Sequence, residues 1–200
     1  MAEIITINPG EHKLMLLRNH DADMEINISE GASLKFFDLV NSVNSVVSEI
    51  NLTFNFLGEG SVLTMRGRMM GKGSDSVRRN IVIRHSAPQC ESDVYYKYVL
   101  DGEAQGRFDG RVIVPQDCQK TTSRLLNKNL CLSHDARMQT RPELEIYADD
   151  VQCSHGSSIG MLDQDAIFYM QQRGIPFSEA KRLLVDAFIN EIQMPRLCVK

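Results

Sequence analysis

The sequence has no tryptophan, and aromatic residues make up only 6% of its 200 residues. Few rings are therefore available for stacking sugars, which argues against a carbohydrate-active protein. No apolar run approaches the roughly 20 residues that a membrane helix needs. The net charge of −4 gives no electrostatic basis for binding nucleic acid. These absences favour an ordinary globular protein that acts without a membrane or a nucleic acid.

A disulfide framework is also not indicated. The cysteines are odd in number and widely spaced: Cys90, Cys118, Cys131, Cys153 and Cys198. Reduced thiols in a cytosolic protein are the simpler interpretation. The residues from Met1 to Ile4 show no basic segment followed by an apolar stretch, so we expect no signal peptide and a cytoplasmic location.

Three enzyme-like motifs are incomplete or unspecific. Gly58–Gly60 and Gly71–Gly73 lack the further glycine or the Lys-Ser/Thr of a phosphate loop, so a partner must supply any ATP site. The stretch Gly156–Gly160 fits the G-x-S-x-G pattern of hydrolases, but no histidine follows it and the preceding residues are polar. We interpret it as a Gly/Ser turn. Glu143 and Glu145 should share a solvated strand face rather than form a glycosidase pair. The sequence therefore predicts a protein that is not an enzyme.

What the sequence does contain, up to about residue 160, is a series of short strands. Period-2 alternation occurs at Ile50/Leu52/Phe54/Phe56, Ile81/Ile83, Val112/Val114 and Leu144/Ile146. Turn signals such as Gly58-Glu-Gly60, Asp101-Gly102 and Asp109-Gly110 separate these runs. The pattern predicts an all-β protein and leaves a sandwich, a barrel and a β-solenoid open.

The last 40 residues change character. Asp163 is placed to cap a helix through Ile167 that Gly174 would end. Ser178 is placed to cap a second helix, which Pro195 would stop. On that helix a predicted apolar stripe comprises Ala180, Leu183, Leu184, Ala187 and Phe188. The β-body, a partner protein or both can cover it. We therefore divide the chain into a β core, 1–160, and a helical region, 161–200.

Metal ligands and a basic cluster are the remaining features. Cys131-x-x-His134 and Cys153-x-His155 together offer two thiolates and two imidazoles, which zinc or iron accepts. Cys131 is more simply a small buried hydrophobe, whereas alternation along a strand would place Cys153 and His155 on one face.

A basic cluster comprises Arg66, Arg68, Lys72, Arg78, Arg79 and Arg84. Glycine and serine lie between these residues, and we expect the cluster in a solvated loop or at a partner-facing edge.

Several stretches together resemble the SufB/SufD family of scaffold subunits for iron–sulfur cluster assembly, and its SufD branch in particular. These are Leu144–Gly160 with its Cys-Ser-His-Gly, the segment Asp165–Gly174 with its Phe-Tyr and Arg-Gly, and the upstream segments Arg107–Val114 and Gln119–Leu130. The resemblance is good over residues 78–190 and loose before them. It implies a right-handed parallel β-helix with a short C-terminal two-helix region.

The resemblance also implies partners and sites. It implies a complex with a SufB-like protein, met through the β-helices, and with a SufC-like ATPase received by the helical tail. His155 corresponds to a histidine at the shared interface, where it is a tentative metal ligand beside Cys153. The residues expected to dock SufC are Phe168, Tyr169, Arg173, Leu183, Leu184 and Phe188. We expect no cofactor to be bound stably by the isolated chain, a transient iron–sulfur cluster at the SufB interface, and a homodimer when SufB is absent. A solenoid carbohydrate enzyme and a stand-alone metal-binding protein are the alternatives.

Overall fold

The computed structural model describes residues 2–19, 21–41 and 47–193. Within these ranges the chain forms two parallel sheets of six strands each, and consecutive strands alternate between the two sheets. This topology is a parallel β-solenoid of about five turns, followed by two helices. The all-β solenoid with a two-helix tail is thus confirmed, and the right-handed sense of the coil stays a prediction.

The elements follow one another without a long interruption. The first sheet contains β1 (Glu3–Ile7), β3 (Ala22–Ile28), β5 (Val47–Phe56), β7 (Ser76–His85), β9 (Gln105–Val114) and β11 (Arg137–Ile146). The second contains β2 (His12–Arg18), β4 (Ser33–Asn41), β6 (Val62–Gly71), β8 (Glu91–Leu100), β10 (Thr122–Cys131) and β12 (Gln152–Met161). The helices are α1 (Gln164–Gln172) and α2 (Phe177–Ile189). We call the sheets the odd sheet and the even sheet.

Each turn of the coil adds one layer, or rung, to columns of apolar side chains that stack inside it. Ile26, Phe54, Ile83 and Val112 are partners on successive strands of the odd sheet. All four side chains are buried, none exposing more than 1% of its surface. The columns require only an apolar residue of suitable size at each rung. This is why a coil with about 29 residues in each turn leaves no strict repeat in the sequence.

The corners of the coil stack as the strands do. Gly31 donates its N–H to the Glu59 carbonyl at 2.9 Å in the next turn, and Gln89 donates to the Gln119 carbonyl at the same distance. Gly31 has a φ of +62° and Gln89 a φ of +57°, so each of these two corners contains one residue in the left-handed region. Gly58 is required for a different reason, because a Cβ there would lie 2.0 Å from the backbone nitrogen of Glu30. The predicted turns at Gly58–Gly60 and Asp101-Gly102 are therefore corners of the solenoid, whereas the turn predicted at Asp109-Gly110 was wrong, because both residues lie within the paired strand β9.

The alternation in the sequence predicted the inward side chains except at the last rung. Ile50, Leu52, Phe54 and Phe56 are all buried. Ile146, which the pattern placed inside, exposes 37% of its surface. The reason is that β11 is the last strand of the odd sheet, so no further rung covers it in the described part of the chain.

The outer face of the same strands is polar, as predicted for Glu143 and Glu145. Both carboxylates form ion pairs with Arg111 on the neighbouring strand β9, at 2.9 and 3.4 Å. About a third of each side chain remains exposed. The two glutamates therefore form a solvated cross-strand ion-pair network, which contributes little to stability.

Most of the basic cluster lies on strands β6 and β7, Lys72 lies in the turn between them, and one member is buried. Arg79 points into the coil, where Nε donates to Asp38 Oδ2 at 2.6 Å and both side chains are 1% exposed or less. Burial works to lower the pKa of Arg79, but the Asp38 carboxylate more than offsets this, so the pKa is raised and the guanidinium stays charged. The expectation of a solvated loop or edge was wrong for Arg79, because its partner Asp38 lies on the other sheet, 41 residues away.

The helical tail begins as predicted, with one correction. Asp163 caps α1 by accepting from the N–H groups of Asp165 and Ala166, and Gly174 follows the helix with a φ of +84°. The N-cap of α2 is Pro176, without a side-chain hydrogen bond, rather than Ser178. Pro176 supplies an extended backbone ahead of the helix and makes Ser178 a first-turn residue. The predicted stop at Pro195 lies outside the described residues. No helix in the described ranges is long and apolar enough to cross a membrane.

Candidate functional site

The final turn of the solenoid carries Cys153 and His155 on its inner face. Both lie on β12, where Cys153 pairs with Ser123 and His155 with Leu125 on β10. Ser123 and Leu125 are 1% exposed and point into the coil. Partners across a parallel sheet point to the same side, so Cys153 and His155 also face the coil axis. The structure thus gives the arrangement that their two-residue spacing predicts.

His155 nevertheless contacts solvent, because β12 is the last strand of the even sheet. Cys153 is half-buried and packs against the main core. Burial raises the pKa of the Cys153 thiol, and the Ser123 backbone N–H lowers it only in part. The thiol is therefore protonated at neutral pH. The end of the coil presents one accessible imidazole beside a partly shielded, unreactive thiol.

The four-ligand metal site is not assembled. Cys131 pairs with Met161, eight positions along β12 from Cys153, which corresponds to roughly 26 Å at the rise of a parallel strand. Cys131 is buried, burial raises its pKa, and His134 is exposed in the turn that follows β10. Among the described residues there is no group of three or more His, Cys, Asp or Glu side chains that could hold a metal ion. His155 and Cys153 are at most two ligands of a site shared with another molecule.

The G-x-S-x-G stretch has no hydrolase geometry. Gly156–Gly160 is not the turn that we predicted, because it lies within β12 and pairs along its length with β10. Ser158 pairs with Lys128, an exposed residue, and so lies on the outer face of the sheet. A nucleophile elbow requires a sharp strand-to-helix turn, which a continuous strand cannot form.

A buried chain of polar side chains leads towards Cys153 and was not predicted. His85 Nε2 lies 3.0 Å from Ser92 Oγ, and Ser92 Oγ lies 2.7 Å from Ser123 Oγ, the residue that pairs with Cys153. Burial lowers the pKa of His85 to about 4, so the ring is neutral, and it stacks on Phe56 with 4.3 Å between centroids. The sequence signal was a serine at an inward position of two successive even-sheet strands, which the hydrophobic pattern alone does not reveal.

The apolar stripe of α2 is rotated from its predicted position. Ala180, Val185 and Ile189 are buried, and Leu184 and Phe188 are half-buried. Val185 and Ile189 pack with Val99 and Leu130 on the outer face of the even sheet. Leu183 and Ala187 are exposed. The β-body therefore covers most of this stripe.

A buried lysine fastens α2 to the body. Lys97 on β8 exposes 1% of its side chain, and its Nζ donates to the Phe188 carbonyl at 2.6 Å and to the Glu191 carboxylate. Nζ also lies 4.1 Å from the centre of the Phe188 ring. The hydrogen bond from Lys97 lowers the pKa of Glu191. A cation at the last carbonyls of a helix is favourable both as a donor and through the helix dipole.

The remaining tail residues form an exposed aromatic surface. Phe168 and Tyr169 expose 62% and 59% of their surfaces, and Leu183 exposes 37%. The Arg173 guanidinium lies over the Tyr169 ring at 4.5 Å and donates to its hydroxyl. Of the six residues expected to dock a partner, the structure therefore leaves Phe168, Tyr169, Arg173 and Leu183 accessible. It commits Leu184 and Phe188 largely to internal packing.

The final turn also exposes apolar side chains. Ile159 and Met161 on β12 are each about half exposed, at 51% and 52%, and Tyr147 at the preceding corner exposes 64%. β11 and β12 are the edge strands at this end of their sheets. An open edge with apolar side chains is a surface on which another sheet can add.

Comparison with known proteins identifies relatives over most of the chain. The SufBD core domain of the SUF system for FeS cluster assembly matches residues 17–188. SufD of Escherichia coli is 30% identical over 176 residues, covering 88% of this chain and 41% of that protein. The SufBD family protein slr0076 of Synechocystis is 41% identical over 124 residues, covering 62% and 27%, and SufD of Bacillus subtilis is 28% identical over 140 residues, covering 70% and 32%. The chain spans less than half the length of these relatives. It belongs to the SufBD family of the SUF iron–sulfur cluster assembly system.

Proposed function

We propose that this chain is a non-catalytic scaffold of iron–sulfur cluster assembly that pairs with a SufB-like subunit and docks a SufC-like ATPase. The observation that carries the proposal is the open final turn, where His155 and Cys153 face the axis of the coil at an uncovered edge. Two ligands are too few for a cluster, so a second chain must contribute the others. The iron–sulfur cluster is cargo that is assembled between the chains.

The exposed edge supports a second β-chain as the partner. Within residues 47–193 no further strand pairs with the outer edges of β11 and β12, and Ile159 and Met161 provide apolar contact. A SufB-like protein, as a member of the same family, would offer an equivalent edge. When the SufB-like protein is absent, a second copy of this chain can pair with the same edge, which gives a homodimer.

The helical tail supports a separate docking surface for the ATPase. Phe168, Tyr169 and Leu183 are exposed on α1 and α2. Next to them a groove of about 420 Å³ runs between α2 and the even sheet, lined by apolar residues such as Val99, Leu132 and Phe177. Exposed aromatic side chains beside an apolar groove are typical of interface anchors. In this arrangement the ATP-binding site belongs to the partner.

Co-purification tests the proposal. The chain would be tagged and co-expressed with the SufB-like and SufC-like proteins of the same organism. We expect both partners to be recovered in fixed proportion, and a homodimer when the chain is expressed alone. Recovery of a monomer without either partner, from a preparation that is folded by circular dichroism, would overturn the proposal.

A further inference from the structure

A basic groove lies on the outer face of the odd sheet, apart from the Cys153/His155 end of the coil and from the tail surface. It has a volume of about 290 Å³ and lies across β7, β9 and β11. Its polar lining consists of Arg78, Arg107, Arg137, Ser76, Gln105 and Gln139. None of the described residues that line it is acidic. The α2 helix packs on the even sheet, so this groove remains accessible when the tail surface is occupied.

The positions of the arginines carry an energetic cost. Arg78 and Arg107 are direct partners on neighbouring strands. Like charges placed directly opposite in a sheet destabilise it. Glu49, which precedes Arg78 in the same row, comes only within 4.0 Å of it, and both side chains are 55% exposed. The fold thus keeps two cations side by side, of which Arg78 has only a long, exposed contact with a carboxylate.

The carboxylates of the odd sheet also form ion pairs with arginines outside the groove, so the groove keeps a net positive charge. Arg107 is held by Asp109 at 2.5 Å, but that carboxylate also binds Arg141 at 3.2 Å. For Arg137 no carboxylate lies within ion-pair distance among the described residues. Arg137 is therefore the groove arginine without an ion pair among the described residues, and the nearest acidic side chains, Glu103 and Asp135, line the adjoining pocket rather than the groove.

We propose that this groove binds an acidic, extended segment of a partner protein. Arg137 pairs with Gln105, so Arg107 and Arg137 are offset diagonally by one strand and two positions. Such a diagonal spans about 7 to 8 Å, close to the roughly 6.6 Å between alternate carboxylates of an extended chain. Guanidinium groups bind carboxylates with two parallel hydrogen bonds. Alternating Glu or Asp residues thus match the arrangement of the groove.

The backbone favours carboxylates over a free phosphate as the ligand. Phosphate sites combine cationic side chains with free backbone N–H groups at a helix start or a turn. Here the floor is the continuous strand β9, which pairs with β7 on one side and β11 on the other. Recognition therefore depends on the arginine side chains and the flanking glutamines. A flexible peptide can adapt to such a surface.

The test measures binding of a labelled peptide, acetyl-Glu-Ser-Glu-Ser-Glu-amide, to the whole chain by fluorescence anisotropy. The variant Arg107→Gln/Arg137→Gln removes two charges from the groove. The matched control Arg84→Gln/Arg124→Gln removes two exposed arginine charges elsewhere, one on each sheet. We expect the groove variant to weaken binding roughly tenfold or more, the control to change it less than about twofold, and high salt to weaken the native interaction.

Three outcomes would overturn the inference. Equal losses in the two double variants would show a non-specific charge effect. Displacement of the peptide by an equal concentration of inorganic phosphate would identify a small-anion site. Self-association that the groove variant abolishes, seen by sedimentation without any peptide binding, would assign the face to a second copy of the chain. If the double variant does not fold, Arg137→Gln alone serves, because this side chain makes no ion pair with a described residue.

Discussion

Tyr96 on β8 donates a hydrogen bond from its hydroxyl to Asp38 Oδ2 on β4, at 3.0 Å, although the strand β6 lies between them. Gly67 on β6 lies directly between these two residues, since it pairs with Asp38 on one side and with Tyr96 on the other. The Tyr96 ring fills the space where a side chain at position 67 would be. Through this bond Tyr96 shares the buried carboxylate that also holds Arg79.

The variant Gly67→Ala should therefore destabilise the protein. The new Cβ would lie 2.1 Å from Tyr96 Cε1, so the ring must move and the buried Asp38 would lose one of its donors. Overpacking and a lost buried hydrogen bond together predict a loss of about 3 kcal/mol in the free energy of unfolding. Chemical denaturation measures it. Gly160→Ala is the control, since nothing lies within 4 Å of that Cβ, and its effect should stay within about 0.5 kcal/mol.

Acid should destabilise the fold through His85. Burial lowers its pKa in the folded state from 6.5 to about 4. Well above pH 6.5 the ring is neutral in both states and its contribution to stability is complete. As the pH falls from 6.5 to about 4, the unfolded chain binds a proton that the folded chain does not, so the free energy of unfolding decreases by roughly 3 kcal/mol.

Denaturation at a series of pH values should reveal this loss as a difference between the native chain and His85→Phe. The phenylalanine ring can still stack on Phe56 and does not titrate. The variant should have a shallower dependence on pH across this window. His134→Gln, at an exposed position, should follow the native curve. Superimposable curves for the native chain and His85→Phe would contradict the assignment.

Lys97→Ala should loosen α2 without unfolding the solenoid. The variant removes the buried donor to the Phe188 carbonyl and the Glu191 carboxylate. Hydrogen bonds from a charged donor contribute about 1.5 to 3 kcal/mol, which corresponds to roughly 10- to 100-fold faster amide exchange in α2. Lys181→Ala is the control, since its pair with Asp101 is longer, at 3.4 Å, and partly exposed. Unchanged protection of α2 in Lys97→Ala would show that apolar packing alone holds the helix.

His155→Ala should abolish cluster assembly in cells while the melting temperature stays within a degree or two of the native value. His155 is exposed, so its loss leaves no cavity. Cys153→Ala should lower stability by about 1 kcal/mol, because the thiol packs against the core. Normal cluster assembly by His155→Ala, in a strain that depends on this pathway, would remove the proposed role of the imidazole.

Exposed and internal aromatic residues of the tail should behave differently towards the SufC-like ATPase. Phe168→Ala should weaken binding by about 2 kcal/mol, or roughly 30-fold, without lowering the melting temperature. Phe188→Ala should lower the melting temperature, because the ring packs on the body and beneath Lys97 Nζ. Calorimetric titration with the ATPase measures binding. If Phe168→Ala binds as the native chain does, and Tyr169→Ala does too, the docking surface lies elsewhere.

The candidate site could be predicted only in part from the sequence. The two-residue spacing of Cys153 and His155 predicted that they share a face, because side chains alternate along any strand. It did not predict that this face is the inside of a coil left uncovered at its last turn. That property depends on the number of rungs that follow, which no local pattern contains. For the same reason Ile146 was placed inside although it is exposed.

The sequence by itself determined those features whose physics is local: the alternation that forms the strands, the Asp163 cap and the left-handed Gly174. Tertiary structure decided which strands pair, because partners about 29 residues apart share only size and hydrophobicity. It also decided that Arg79 is buried and which side of α2 is covered. Both outcomes depend on groups supplied from distant strands, Asp38 on β4 and Val99 on β8, whose positions exist only once the coil has closed.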